Sequence, residues 1–265
     1  MILGENSPFV IIGRHLLAGS RACGEIVFLV RRTIYWMFRG RIDRYNLFYQ
    51  MVEMGNRTFP VASLTLIFTG MVVALQTGFS MIRVFDEPLF IGTALGHSIF
   101  KELAPVLTGM VFAGRVGAAI AAEIGTMKVT EQLDALYTLG TNPIKYLAVP
   151  RFISAVTMLP LLVIYADLMG AVGGYIVSVV QLRIPGTVYI EDITAIDLDI
   201  VLHGFLKSFV FALIIVAVSC YKGFTTKGGA EGVGKATTEA VVVSMVTLLI
   251  SDYFVSAILV AFGIG

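Results

Sequence analysis

Five stretches of this 265-residue chain are apolar for about twenty residues or more, the length a helix needs to cross a hydrocarbon core roughly 30 Å thick. They run from about Pro60 to Ile82, Ile91 to Ala122, Leu147 to Val180, Ile200 to Tyr221 and Val241 to Phe262. Inside a bilayer each backbone N–H and C=O must find a partner within the protein, so each stretch is expected as a helix. The second and third exceed one perpendicular crossing, and tilt, a kink, or an interfacial or re-entrant turn would take up the excess. Charged residues make up 14% of the chain. A water-soluble domain carries about 25%, so too little polar surface is available to cover a soluble globule. The expected class is an all-α integral membrane protein.

Residues 1–59 differ from the rest. Phe9, Ile12, Leu16, Leu17, Ile26 and Leu29 alternate with Arg14, Arg21, Arg31, Arg32, Arg39, Arg41, Arg44 and Arg57. No run long enough to span is free of charge there, and Tyr35, Trp36 and Phe38 add aromatic character. Amphipathic helices of this composition lie in the membrane interface, although a solvated arm packed on the membrane domain fits the same pattern. The reading is an N-terminal helical arm over 1–59 and a transmembrane domain over 60–265. Met1 to Pro8 lacks a basic segment before an apolar run, so no cleavable signal is expected.

Lysine and arginine set the expected orientation. The arm holds eight arginines, the 123–146 loop Lys128 and Lys145, and the 222–240 loop Lys222, Lys227 and Lys235. The loop after the first span sets Arg83 against Asp86 and Glu87, and the 181–199 loop sets Arg183 against Glu191, Asp192, Asp197 and Asp199. The N-terminus and the two basic loops are therefore expected in the cytoplasm, with the C-terminus on the far side.

Four charges lie inside the spans: Lys101, Glu102, Lys207 and Asp252. A charge at the centre of a bilayer helix costs about 2.5–3.5 kcal/mol on insertion scales, and mutual pairing would offset much of that. Such a group lines a substrate path or ties helices together. Pro105 has no N–H for the carbonyl of Lys101, so a kink and a free carbonyl are expected beside the charges. Gly109, Ala113, Gly117 and Ala121 repeat every fourth residue, a face that admits another helix closely, and Gly170, Gly173 and Gly174 form a second such patch. Arg115, off that stripe, could snorkel or reach Glu123.

Enzymatic signatures are weak. Gly229–Ala236 approaches the phosphate-binding G-x-x-x-x-G-K-[ST], but Ala236 stands where a Mg²⁺-holding hydroxyl is needed and no strand precedes it. His15, His97 and His203 lack ligand spacing, and Cys23 and Cys220 form no C-x-x-C pair. No catalytic residue, metal site or cofactor is expected in this chain, and a net charge of +1 gives no reason to expect nucleic acid.

The loop Glu123–Leu136, closing near Gly140 and Pro143, has Val129, Leu133, Leu136 and Tyr137 spaced for a short amphipathic helix, with Thr130 as a cap and Gly140 as a stop. A short helix of this kind suits docking into a partner's groove. The run Ala113–Met127 with Val129–Leu136 closely resembles the MlaE family, permease subunits of ABC transporters that move phospholipids or related lipids with MCE-domain proteins. The resemblance extends to Lys101–Pro105, Asn142-Pro143, Val149–Arg151 and Gly232–Thr238, and covers most of the chain from about residue 60. Ala104 stands where many members carry glycine.

The resemblance implies a protein of the inner membrane in which two copies form the path. It implies a separate ATPase dimer binding ATP and Mg²⁺ beneath, an MCE-domain lipid-binding protein on the far side and a small accessory subunit. It implies a lipid site at Leu75, Phe79, Lys101, Glu102, Leu103, Lys207 and Asp252. It also makes the 123–140 helix a coupling helix, with Glu123, Thr130, Glu131, Gln132, Asp134, Leu136 and Gly140 facing the ATPase. Two rivals remain at this stage: an ion-coupled secondary transporter using Glu102 and Asp252 as proton relays, though no inverted repeat is visible, and a non-transporting scaffold.

Overall fold

The computed structural model describes residues 8–39, 43–85 and 90–264. The Asp86 and Glu87 side of the first loop, Arg41 and the start of the chain lie outside the described residues, as do the side chains of Phe9, Ile12 and Leu16. The described residues form helices and connecting turns, with no strand among them.

Two helices precede the spans, α1 (Pro8–Arg39) and α2 (Arg44–Asn56). Asp43 starts α2 by accepting from the N–H groups of Tyr45 and Asn46, which satisfies donors that a helix start leaves free. The first span, α3 (Phe59–Phe85), follows after two residues. The second is one continuous rod from Ile91 to Val129: α4 (Ile91–Ser98), a π-helical turn at Ile99–Leu103, α5 (Ala104–Phe112), a second π turn at Ala113–Gly117, and α6 (Ala118–Val129). Its excess length is taken up in one uninterrupted helix with two π turns and no re-entrant break among the described residues. The short helix α7 (Gln132–Thr138) leads to a third π turn at Ile144–Ala148 and the third span, α8 (Val149–Val180). A short helix α9 (Gly186–Thr194) lies within the 181–199 loop and precedes the last spans, α10 (Leu198–Phe224) and α11 (Gly229–Ala261). Five segments are long and apolar enough to cross a membrane.

Small residues set the closest approaches. A Cβ on Gly70 would collide with the carbonyl of Gly170, and one on Gly173 with the carbonyl of Ile67, so α3 and α8 pack backbone to backbone. In the other stripe a Cβ on Gly109 would lie 2.7 Å from Leu248 Cδ1 and one on Gly117 2.9 Å from Ser219 Oγ, while Ala113 and Ala121 are fully buried. Both patches therefore serve helix packing, as their spacing predicts.

The arm lies on the bundle. Leu29 and Thr33 of α1 are buried, and Tyr221 donates to Glu25 at 2.9 Å. Asn46 of α2 donates to the Tyr146 carbonyl, and Ser154 of α8 to the Leu47 carbonyl. The opposite faces expose Val27, Phe28, Phe38, Phe48, Tyr49 and Val52, the apolar side an interfacial helix presents to lipid. The arm, α7 and the turn at 225–228 gather at one end, where Lys145 stands over Trp36 and Thr226 packs on Gly125. At the other end α9 covers α4, and His203 is held 2.8 Å from the Ile264 carbonyl.

Candidate functional site

Three of the four intramembrane charges meet. Lys207 on α10 is fully buried, with Nζ 2.5 Å from Glu102 Oε2 on the first π turn and 2.9 Å from Asp252 Oδ1 on α11. The same ammonium reaches the carbonyl of Lys101 at 3.4 Å. That acceptor exists because Pro105 supplies no N–H, and the N–H of Ala104 bonds to Ile99, five residues back, within the π turn. Gly204, one turn before Lys207, lets α10 close on this region: a Cβ there would strike the Phe100 carbonyl and come within 2.9 Å of Pro105.

The cluster has an open side. The Glu102 side chain is 42% exposed and that of Asp252 20%, against 0% for Lys207. A buried cation thus anchors two carboxylates that lie at a surface of the bundle. Breaking such a pair typically costs 3–5 kcal/mol, because the remaining charge is stranded in low dielectric. Lys101 is not part of the network: its ammonium makes no ion pair among the described residues, and only its backbone contributes. The expected four-charge balance is therefore corrected to one base shared by two acids.

Apolar surface adjoins the charges. Leu103, next to Glu102 in the chain, and Leu75 on α3 each pack against a cluster that includes Leu66, Ala74, Leu95, Ile99 and Ala104. Phe79, one turn beyond Leu75, is 54% exposed and stands away from that core. The arrangement offers charged and hydrogen-bonding groups beside an apolar wall, the two chemistries an amphiphile presents.

The 123–146 loop is built differently from the single helix expected over 123–140. Glu123 lies on α6, where it accepts from the buried Arg151 at 2.7 Å, and α6 continues to Val129. Arg115 makes no ion pair with Glu123 among the described residues, and Arg151 on α8 holds that carboxylate. Thr130 closes α6 by bonding back to the Thr126 carbonyl at 2.8 Å, so it is a C-terminal residue of one helix and not the cap of the next. The chain reverses at Glu131, whose φ of 60° is left-handed, and α7 begins at Gln132. Leu133 is buried and Leu136 partly so, which seats one face of α7 on the bundle. Glu131, Gln132, Asp134, Tyr137 and Leu139 face outward, and Asp134 lies 3.7 Å from Lys128. Gly140, at φ 73°, ends α7 as its type suggests.

Two features fall outside the sequence-derived set. Asp167, well inside α8, is 7% exposed, and its Oδ1 has no hydrogen-bond partner among the described residues. The signal that selected Asp252, a lone carboxylate in an apolar run, marks Asp167 equally. Arg151 is a second buried charge, its guanidinium held by Glu123 and the Leu147 carbonyl. Its position just after the 123–146 loop gave no hint of burial.

Among known proteins, the family model for permease MlaE matches residues 47–258. The chain is 41% identical over 252 residues to a probable ABC transporter permease protein of Rickettsia typhi, covering 94% of this chain and 96% of that protein. It is 44% identical over 230 residues to a probable ABC transporter permease protein of Synechocystis, covering 86% and 87%. It is 35% identical over 237 residues to the chloroplastic protein Trigalactosyldiacylglycerol 1 of Arabidopsis thaliana, covering 88% and 67%. A family match over residues 47–258, a range that includes the ion-paired turn and the α6–α7 reversal, places this protein in the MlaE permease family of ABC transporters.

Proposed function

We propose that this permease subunit moves phospholipids or related lipids between membranes, as one of two copies driven by a separate ATPase dimer. The observation that carries the reading is the Lys207–Glu102–Asp252 network, whose carboxylates are open to the surface of the bundle while Leu103, following Glu102, packs on an apolar cluster. A diacyl lipid needs apolar surface for its tails and a few fixed charges for its head group. One relative bears the name of a galactolipid, which accords with a lipid substrate.

The exposed side of α11, with Val242, Val246, Leu249, Tyr253 and Phe254, supports a second copy closing over the carboxylates. The outward face of α7 supports docking of the ATPase, which binds the ATP and Mg²⁺. The clustering of basic residues at the α7 end supports a cytoplasmic arm and α7 in an inner-membrane protein, with the C-terminus on the far side. An MCE-domain protein, and a small accessory subunit with it, completes the assembly on this reading.

Lipid retained by the purified protein tests the substrate. Glu102→Ala should change the amount or class of lipid that copurifies. An unchanged lipid profile in that variant would contradict the assignment of this cluster as the head-group site.

A further inference from the structure

A second polar cavity, of about 170 Å³, lies between α2 and the second π turn, apart from the Lys207 network. Gln50, Glu53, Arg57, Thr58, Arg115 and Glu123 line it. Two of its groups are buried with no hydrogen-bond partner among the described residues: the hydroxyl of Thr58, on a residue with no exposed surface, and one terminal nitrogen of the Arg115 guanidinium. The other charges are already matched, Arg57 with Glu53 and Arg151 with Glu123. The lining itself holds two arginines and two glutamates, but Glu123 is taken by Arg151 from outside the cavity, so Arg115 has no ion pair among the described residues. Two unfulfilled donors, one of them on a guanidinium without an ion pair, in a partly desolvated cavity call for an anion that accepts several hydrogen bonds.

The surroundings indicate which anion. Thr58 immediately precedes the first apolar residue of α3, so the cavity sits at the depth where the first span enters the membrane. Arg57 and Glu123 are more than half exposed, so the cavity opens to the surface at that depth. Beside it, α2 turns Phe48, Tyr49 and Val52 outward, an apolar strip along which acyl chains can lie. We infer that this cavity is an anion site for a phosphate group, filled by a phosphodiester lipid head group with its tails along α2, or by free phosphate. The inference does not rest on the lipid reading of the Lys207 cluster.

The test uses the full chain in nanodiscs, with bound lipid counted by native mass spectrometry. The probes are phosphatidylglycerol, an uncharged glucosyl diacylglycerol and, in detergent, inorganic phosphate. Phosphatidylglycerol should bind, the glucolipid should not, and Arg115→Gln should weaken phosphatidylglycerol binding at least about tenfold, the effect of losing a charge-assisted hydrogen bond. Arg115→Lys should retain part of the binding. Thr58→Val should weaken it in the same direction and serves if Arg115→Gln does not fold. The loss caused by Arg115→Gln should be of the same size in a Glu102→Ala background, which separates this site from the central cluster. Saturable binding of inorganic phosphate that Arg115→Gln abolishes would support the same site with free phosphate as its occupant. Equal binding of phosphatidylglycerol by wild type and both variants, equal binding of the glucolipid, or a cavity holding water alone would overturn the inference.

Discussion

The ammonium of Lys207 lies 3.4 Å from the carbonyl oxygen of Lys101, the acceptor that Pro105 leaves without its helical donor. One residue on, Glu102 takes the same ammonium at 2.5 Å, so a backbone defect and a carboxylate together fix a fully buried lysine. The defect and the charge are each costly alone in a membrane and satisfy one another here.

Removing the lysine should therefore cost more than removing its partners together with it. Lys207→Met should lower stability by about 3–5 kcal/mol by stranding Asp252 and Glu102. The combination with Glu102→Gln and Asp252→Asn should recover much of that stability while lipid movement stays lost. Thermal unfolding in detergent and a transport assay on the same samples check both halves. Recovery of transport with stability would make the network structural only.

The outward face of α7 should affect coupling and leave folding alone. Asp134 is exposed and its contact with Lys128 is 3.7 Å, so that pair contributes at most about 1 kcal/mol. Asp134→Lys or Glu131→Lys should leave the melting temperature near wild type and separate ATP hydrolysis by the partner from transport. Transport and hydrolysis measured together would show wild-type-like lipid movement if the face carries no coupling.

The α3–α8 contact should be intolerant of side chains. Gly173→Ala places a methyl against the Ile67 carbonyl, and overpacking of this kind typically costs 1–3 kcal/mol. Gly234→Ala, with open space around its Cβ position, should be near neutral by the same thermal assay.

The hold of α1 on the bundle should weaken in acid. The Tyr221 hydroxyl, and after it Arg21, keep the Glu25 carboxyl below its ordinary value of 4.5. A depressed carboxylate stabilises above the unfolded value and loses that contribution as pH falls from about 4.5 through the folded value. Hydrogen exchange in α1 should rise on acidification below about pH 4.5, and Tyr221→Phe should diminish that dependence.

The sequence showed the five spans because their length and apolarity are imposed by the bilayer itself. It showed the freed Lys101 carbonyl because a proline names the donor it lacks. It did not separate Lys101 from Glu102: consecutive helical residues point about 100° apart, and only the neighbours decide which of them faces Lys207. The π turns carry no residue signature, being shifts of backbone pairing by one residue. The break at Glu131 was illegible because a left-handed glutamate is disfavoured by its own side chain and is held there by the seating of Leu133 and Leu136. Asp167 was legible by charge alone, and the lack of a partner for its Oδ1 among the described residues emerges only in the packed bundle.

The most direct test reconstitutes the chain with its ATPase in proteoliposomes and follows a fluorescent phospholipid between membranes, with and without ATP and across an imposed ion gradient. The account predicts movement that requires ATP, persists when the gradient is collapsed and is lost in Lys207→Met. Movement that continues without ATP and stops when the gradient collapses would contradict it.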